Sequence, residues 1–312
     1  MGNVEDNQAG AIMTGSLRLK LLAGACLAGL STSALADNGR NVEYFGSIEG
    51  SFLFSEIGDF ASAYNYDVPN YREGETDIGW GTRAEIGMRV GAWVFSLGGG
   101  YQRTQGSETS VEVPSGDAYY YDDTARYLAV DFMVGQEFGL GWASVRPMVG
   151  IRFATVDFET TAENPYNNGT TSCHYEQESD AWGVGPRIGA AANVPLGGGF
   201  SVDASAYGFV LFGDRERSDF VACDSFGPYD YADEESNTTF GAEGTLGVTY
   251  GFGLSNLTQG AITVGYRVDY LHDAIQGEQT LYDSNLADPS FRPGVEEDYL
   301  THGVFVKFSV NY

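Results

Sequence analysis

Long apolar runs are missing from this chain. Nothing beyond the first segment approaches a membrane helix of ~20 residues, so any membrane crossing has to be made of strands. Basic residues are scarce: 16 Lys and Arg stand against 43 Asp and Glu, a formal net charge of −27. With no basic patch, nucleic acid is excluded as a partner. Proline is sparse, at 9 residues, and only 3 cysteines occur. No GxSxG, HExxH or phosphate-binding loop is present, so the common hydrolase and nucleotide signatures are excluded. What the chain does have is 43 Gly, 20 Tyr and 19 Phe. Glycine for tight turns and aromatics for girdles suit a membrane β-barrel.

The pattern is clearest over residues 181–212. Trp182, Val184, Pro186, Ile188, Ala190, Ala192 and Val194 alternate with Gly183, Gly185, Arg187, Gly189, Ala191 and Asn193. After Pro195-Leu196-Gly197-Gly198-Gly199 the alternation resumes with Phe200, Val202, Ala204, Ala206 and Val210 on the apolar face. A period of two means extended strand, and two such runs across a Gly-rich turn make a hairpin. Each run reaches the ~9–11 residues that a tilted strand needs to cross a bilayer.

The first segment reads as an address. Arg18 and Lys20 precede the apolar run Leu21 to Leu30, and Ala34-Leu35-Ala36 supplies a small-x-small cleavage pattern. Residues 1–36 are therefore expected to be a secretory signal peptide, with Met13 as an alternative start, and 37–312 the mature barrel. A lipoprotein reading at Cys26 fits less well, because Ala23-Gly24-Ala25 lacks the usual Leu.

The hairpin unit repeats. About ten alternating strands follow one another, with 8 or 12 as alternatives, and short and long connections take turns. The expected fold is all-β: a transmembrane, antiparallel, up-and-down barrel with short periplasmic turns and long acidic extracellular loops. The long connections are 55–77, 103–123, 157–180, 213–238 and 272–298. Together they hold the whole acidic excess, and the rest of the chain is balanced. Trp80 and Trp182 flank long connections; Trp93, Trp142 and the terminal Tyr312 lie at the short-turn side, as an aromatic girdle requires. A soluble barrel would instead put the tryptophans inside and the strand arginines outside.

On the less apolar strand face, Arg83, Arg89, Arg146, Arg152, Arg187, Arg267 and Lys307 oppose Glu49, Glu85, Asp131, Asp203, Glu243 and Asp269. These near-balanced charges are expected to line the lumen and to pair there, because a lone charge in a confined space is costly.

The stretch Gly183-Val184-Gly185-Pro186-Arg187-Ile188-Gly189, continuing through Pro195-Leu196-Gly197 to Phe200, resembles the Legionella-type major outer-membrane protein family. So does Arg146-Pro147-Met148-Val149-Gly150-Ile151-Arg152. The resemblance implies a pore-forming barrel of the bacterial outer membrane and brings no catalytic residues with it.

The expected function is a narrow, weakly cation-selective pore without a cofactor. The alternatives are a structural or adhesive barrel with a plugged lumen, and a protease with its site at the rim. Expected partners are outer-membrane lipids and lipopolysaccharide, the barrel-assembly machinery, small ions or solutes, and host surfaces met through the loops. Cys173 and Cys223 lie in neighbouring long connections of an oxidising compartment, which predicts a disulfide between them. His272 and Asp273, just beyond Asp269, are the residues a rim-site hydrolase would use to activate water, but their spacing does not match that of the ten-stranded outer-membrane proteases. Acidic clusters such as Asp122-Asp123, Asp233-Glu234-Glu235 and Glu296-Glu297-Asp298 lack the spacing of a dedicated calcium loop, so no metal site is read from them.

Overall fold

The computed structural model describes residues 42–57, 77–111, 118–166, 173–223, 226–255, 258–277, 280–281, 290–291 and 295–312, and the expected signal peptide lies outside them. Ten long strands are present among the described residues: β1 (Val42–Ile57), β2 (Asp77–Val90), β3 (Trp93–Val111), β4 (Ala118–Gln136), β5 (Ser144–Tyr166), β6 (Cys173–Gly197), β7 (Phe200–Cys223), β8 (Phe226–Gly253), β9 (Gln259–Gly277) and β10 (Val295–Asn311).

Each strand pairs antiparallel with the next, and β1 pairs with β10 from Phe45↔Asn311 to Ile57↔Tyr299. The sheet is therefore closed, and no strand edge is left for lipid to meet. Backbone bonds of 2.9 and 2.8 Å between Tyr44 and Tyr312 continue that seam to the last residue. The short turns need backbone that only glycine adopts freely. Gly197, Gly198 and Gly199, in the turn between β6 and β7, have φ of 90°, 64° and 86°.

The two faces of the wall differ as the alternation requires. Ile48, Trp142, Val149, Ile188 and Leu246 point outward and are exposed, while Arg152 and Arg267 point inward and are buried. Trp80, Trp93, Trp142, Trp182 and Tyr312 are all on the outward face. Phe52, Phe212 and Phe240 join Trp80 and Trp182 near the long-connection end. Phe138, Phe200 and Tyr250 join Trp93 and Trp142 near the short-turn end.

The strands run further than their alternation does. Of the expected long loops, 157–180 and 213–238 are mostly strand: β5 and β6 pair up to Asn164↔Cys173, and β7 and β8 up to Cys223↔Phe226. Likewise β3 and β4 pair up to Val111↔Ala118. Once a strand leaves the hydrocarbon its outward face meets water and takes polar residues, so period-two hydropathy vanishes while the backbone ladder continues. The segment 58–76, most of the first expected loop, lies outside the described residues.

Candidate functional site

The inward face carries a connected cluster of charge at mid-height. On β5, Arg152 donates from Nε and Nη2 to both carboxylate oxygens of Asp131 on β4, at 2.7 Å each. Its Nη1 donates to Tyr127 Oη at 2.9 Å and to Glu243 Oε1 at 2.6 Å. Arg187 on β6 donates to Asp131 and, at 2.5 Å, to Glu243 Oε2. Arg83 on β2 donates to Glu243 Oε1 at 3.0 Å and to Asp269 Oδ1 at 3.3 Å.

Glu243 stands on β8, so the Arg83 contact joins strands four apart in a ring of ten. It spans the lumen rather than following the wall. Further round, Arg267 on β9 donates to Glu49 on β1 and, at 3.0 Å, to Asp269 Oδ2. Gln102 on β3 donates to Asp269 Oδ2 at 2.6 Å and accepts from Thr301 on β10 at 3.0 Å.

Local sequence makes room for this. A Cβ at Gly100 would stand 2.5 Å from Arg83 Cγ, so glycine on the neighbouring strand lets that guanidinium reach inward. Aromatic rings complete the packing: Arg152 lies over Phe209 and Arg187 over Tyr207, each 4.3 Å from the ring centroid. Removing such charges from water is expensive, and only near-complete pairing offsets it. Here the guanidiniums of Arg83, Arg152, Arg187 and Arg267 meet the carboxylates of Glu49, Asp131, Glu243 and Asp269.

Of the expected lumen charges, those eight join the cluster, and the other five do not. Arg89 pairs with Glu43 at 2.8 Å and with Glu137 at 2.9 Å near the short turns. Asp203 accepts from Asn193 Nδ2 at 2.8 Å and from Thr249. Glu85, Arg146 and Lys307 occupy inward register positions on the short-turn side of the cluster. Sequence reasoning misses Gln102, Tyr127 and Thr301, because a neutral polar residue on an inward face has no charge to flag it. It also misses the buried Arg215 and Arg217, which share the inward face of β7 with Asp219 in a stretch whose hydropathy resembles a loop.

Between the cluster and the long-connection end the interior turns apolar. Val156, Phe158, Leu211, Leu271, Ile275 and Tyr299 are buried together there. Outside, above Trp182, the register sets Asp157 beside Asp180, Asp180 beside Glu216, and Glu216 beside Glu234. Partial burial and the neighbouring Asp157 and Glu216 carboxylates push the Asp180 carboxyl up to about 6, although Arg126 pulls the other way. Cys173 and Cys223 are direct register partners of β6 and β7 rather than members of two separate loops; their side chains are outside the described set. His272 sits at the rim on the outward side, 2.6 Å from Asp298 and 3.3 Å from Asp273.

A closed ten-stranded wall with an apolar band outside and paired charges inside defines an outer-membrane β-barrel. The family described as the Legionella pneumophila major outer membrane protein precursor matches residues 52–312, and this chain belongs to that family. No curated protein matches it.

Similar solved structures include the outer membrane protease OmpT from Escherichia coli, with 13% identity, 89% of this chain and 99% of that chain covered, and a TM-score of 0.39. A major outer membrane protein from Thermus thermophilus has 11% identity, covers 86% of this chain and 99% of that one, and scores 0.35. The P. putida toluene transporter TodX has 10% identity, coverage of 88% and 91%, and a score of 0.33. At these scores none of the three carries an argument about what this chain does.

Proposed function

We propose that this protein is a narrow-channel barrel whose resting lumen is held shut by the cluster centred on Glu243. The observation that carries this reading is the meeting of Arg83, Arg152 and Arg187, from three different strands, on the one Glu243 carboxylate. A strand count of ten lies close to the eight at which side chains fill a barrel, and far from the sixteen of an open porin. Small ions pass only when the guanidiniums leave Glu243 and rehydrate. The acidic collar gathers cations at the mouth and makes the pathway weakly cation-selective.

The test is solute release from liposomes carrying the refolded protein. Slow release of K⁺ with retention of small sugars is expected. Fast release of both would contradict a latched lumen.

The second reading, a plugged barrel that serves as an anchor or adhesin, is favoured by the apolar layer above the cluster. It predicts no release of either solute. Both readings include a Cys173–Cys223 disulfide, supported by their register and by an oxidising compartment. Neither gives His272 a catalytic role: on the outward side of the wall, His272 and its carboxylates stand away from the lumen.

A further inference from the structure

At the rim, β9 and β10 bring a histidine between two carboxylates. His272 Nδ1 is 2.6 Å from Asp298 Oδ1, and His272 Nε2 is 3.3 Å from Asp273 Oδ2. Asp298 is itself fixed. Tyr270 Oη donates to its Oδ2 at 2.5 Å, and the Asp273 N–H donates to its Oδ1 at 3.2 Å. Burial alone would raise its pKa, but these bonds and the one to His272 outweigh burial and hold the carboxyl below its usual range.

Asp273 stands on a bulge, where the β9–β10 register skips between Leu271 and Ile275. Its φ of 56° is left-handed, a conformation an L-residue takes at a cost. The bulge is pinned by three donors to the Asp273 carbonyl: Arg215 Nη1 at 3.5 Å, Asn237 Nδ2 at 3.1 Å and Thr239 Oγ1 at 3.4 Å. The strain is thus held from β7 and β8, and it brings the Asp273 carboxylate to the His272 ring.

We propose that His272 and Asp273 bind a divalent transition-metal ion of zinc-like preference, with Asp298 as the carboxylate that orients the imidazole. A carboxylate accepting from Nδ1–H fixes the tautomer in which Nε2 carries the lone pair, the usual second partner of a metal-bound histidine. Two ligands about 2.0–2.2 Å from a tetrahedral ion lie roughly 3.3–3.4 Å apart. The 3.3 Å between Nε2 and the Asp273 oxygen meets that spacing without rearrangement. Water fills the remaining positions, because the His272 side chain is 48% exposed. Calcium and magnesium prefer all-oxygen shells, so the imidazole selects against them.

The test is equilibrium dialysis of the refolded chain in detergent micelles, with Zn²⁺ alone as the probe. Wild type is expected to bind Zn²⁺ at one site per chain. His272→Ala should weaken that binding at least tenfold and Asp298→Asn by roughly tenfold, as lost orienting partners do. His174→Ala should leave it unchanged. Heat-modifiable gel mobility checks that each variant is folded, and Asp273→Asn provides a second loss-of-binding variant that leaves the imidazole in place. Zn²⁺ bound equally by wild type and His272→Ala, or by neither, would overturn the proposal.

Discussion

The same strands live under two regimes along their length. Within the membrane band, each strand turns apolar residues outward and most of its charged and small residues inward, and eight of the inward charges are tied into one cluster. Past Trp80 and Trp182 the ladders continue, but the outward face becomes acidic and like charges stand in register: Asp157, Asp180, Glu216 and Glu234 on four adjacent strands. Like charges directly opposite one another destabilise a pair. A low-dielectric interior can tolerate charge only if it is matched, whereas water and salt let the collar carry an excess. The difference teaches that hydropathy alternation reports the bilayer, not the extent of the ladder.

The sharpest way to break this comparison is to remove one charge from each region. Glu243→Leu removes the carboxylate on which Arg83 and the buried Arg152 and Arg187 converge, and the expected loss is about 3–5 kcal/mol of barrel stability. Urea unfolding of the refolded protein in lipid checks this, with Glu234→Leu as the collar counterpart expected to stay within about 0.5 kcal/mol. Equal effects at the two sites would erase the distinction.

Next in size is the proposed Cys173–Cys223 link at the far end of the collar. Antiparallel register partners have Cα atoms about 4.5–5.5 Å apart, within the range that a disulfide spans. Non-reducing peptide mapping should recover Cys173 linked to Cys223. Cys173→Ser should ease opening of the outer ends of β6 and β7 by about 2–4 kcal/mol, read by hydrogen exchange, while the membrane band keeps its protection. Complete alkylation of both thiols without reductant would contradict the link.

A smaller effect separates the regions by pH. The Asp180 carboxyl is raised from 3.8 to about 6 in the folded protein, so the folded collar binds that proton more tightly than the unfolded chain does. Its contribution is complete below pH ~4 and is lost as pH rises through about 6. Because Asp180 is only partly buried and still meets water and salt, the change is at most about 1 kcal/mol. Hydrogen exchange across the collar from pH 4 to pH 7 should show it, and Asp180→Asn should flatten the profile. An unchanged profile in that variant would place the titration elsewhere.

The smallest expected effect is on selectivity. Mouth charge is screened beyond about 8–10 Å at physiological salt. A reversal potential under a KCl gradient should therefore indicate weak cation preference at low ionic strength, fading as salt rises. Anion preference would mean that the lumen arginines set the field instead of the collar.

Much of this architecture is legible in the sequence because the bilayer writes it into side-chain order. Ile86 and Met88 against Glu85 and Arg89 are enough to assign a face. The collar is not legible: Asp214 to Ser236 has no alternation, so the pattern alone ends β7 near Phe212 and starts β8 near Thr239. In the cluster, the eight partners can be named from their face, but not who meets whom. Cross-lumen contacts such as Arg83 with Glu243 depend on register and barrel closure, and no local pattern encodes those. The rim histidine stands out in the sequence, but its partner Asp298, 26 residues further on, is hidden by the connection between β9 and β10.

A lumen latched by Glu243, with a collar that only tunes entry, is tested most directly by planar-bilayer recordings. These compare wild type, Glu243→Gln and the collar double variant Asp180→Asn, Glu216→Gln. The predicted result is brief, infrequent openings in wild type, long openings in Glu243→Gln, and wild-type opening with altered selectivity in the collar variant. Long openings in wild type, or a Glu243→Gln channel that opens no more often than wild type, would contradict it.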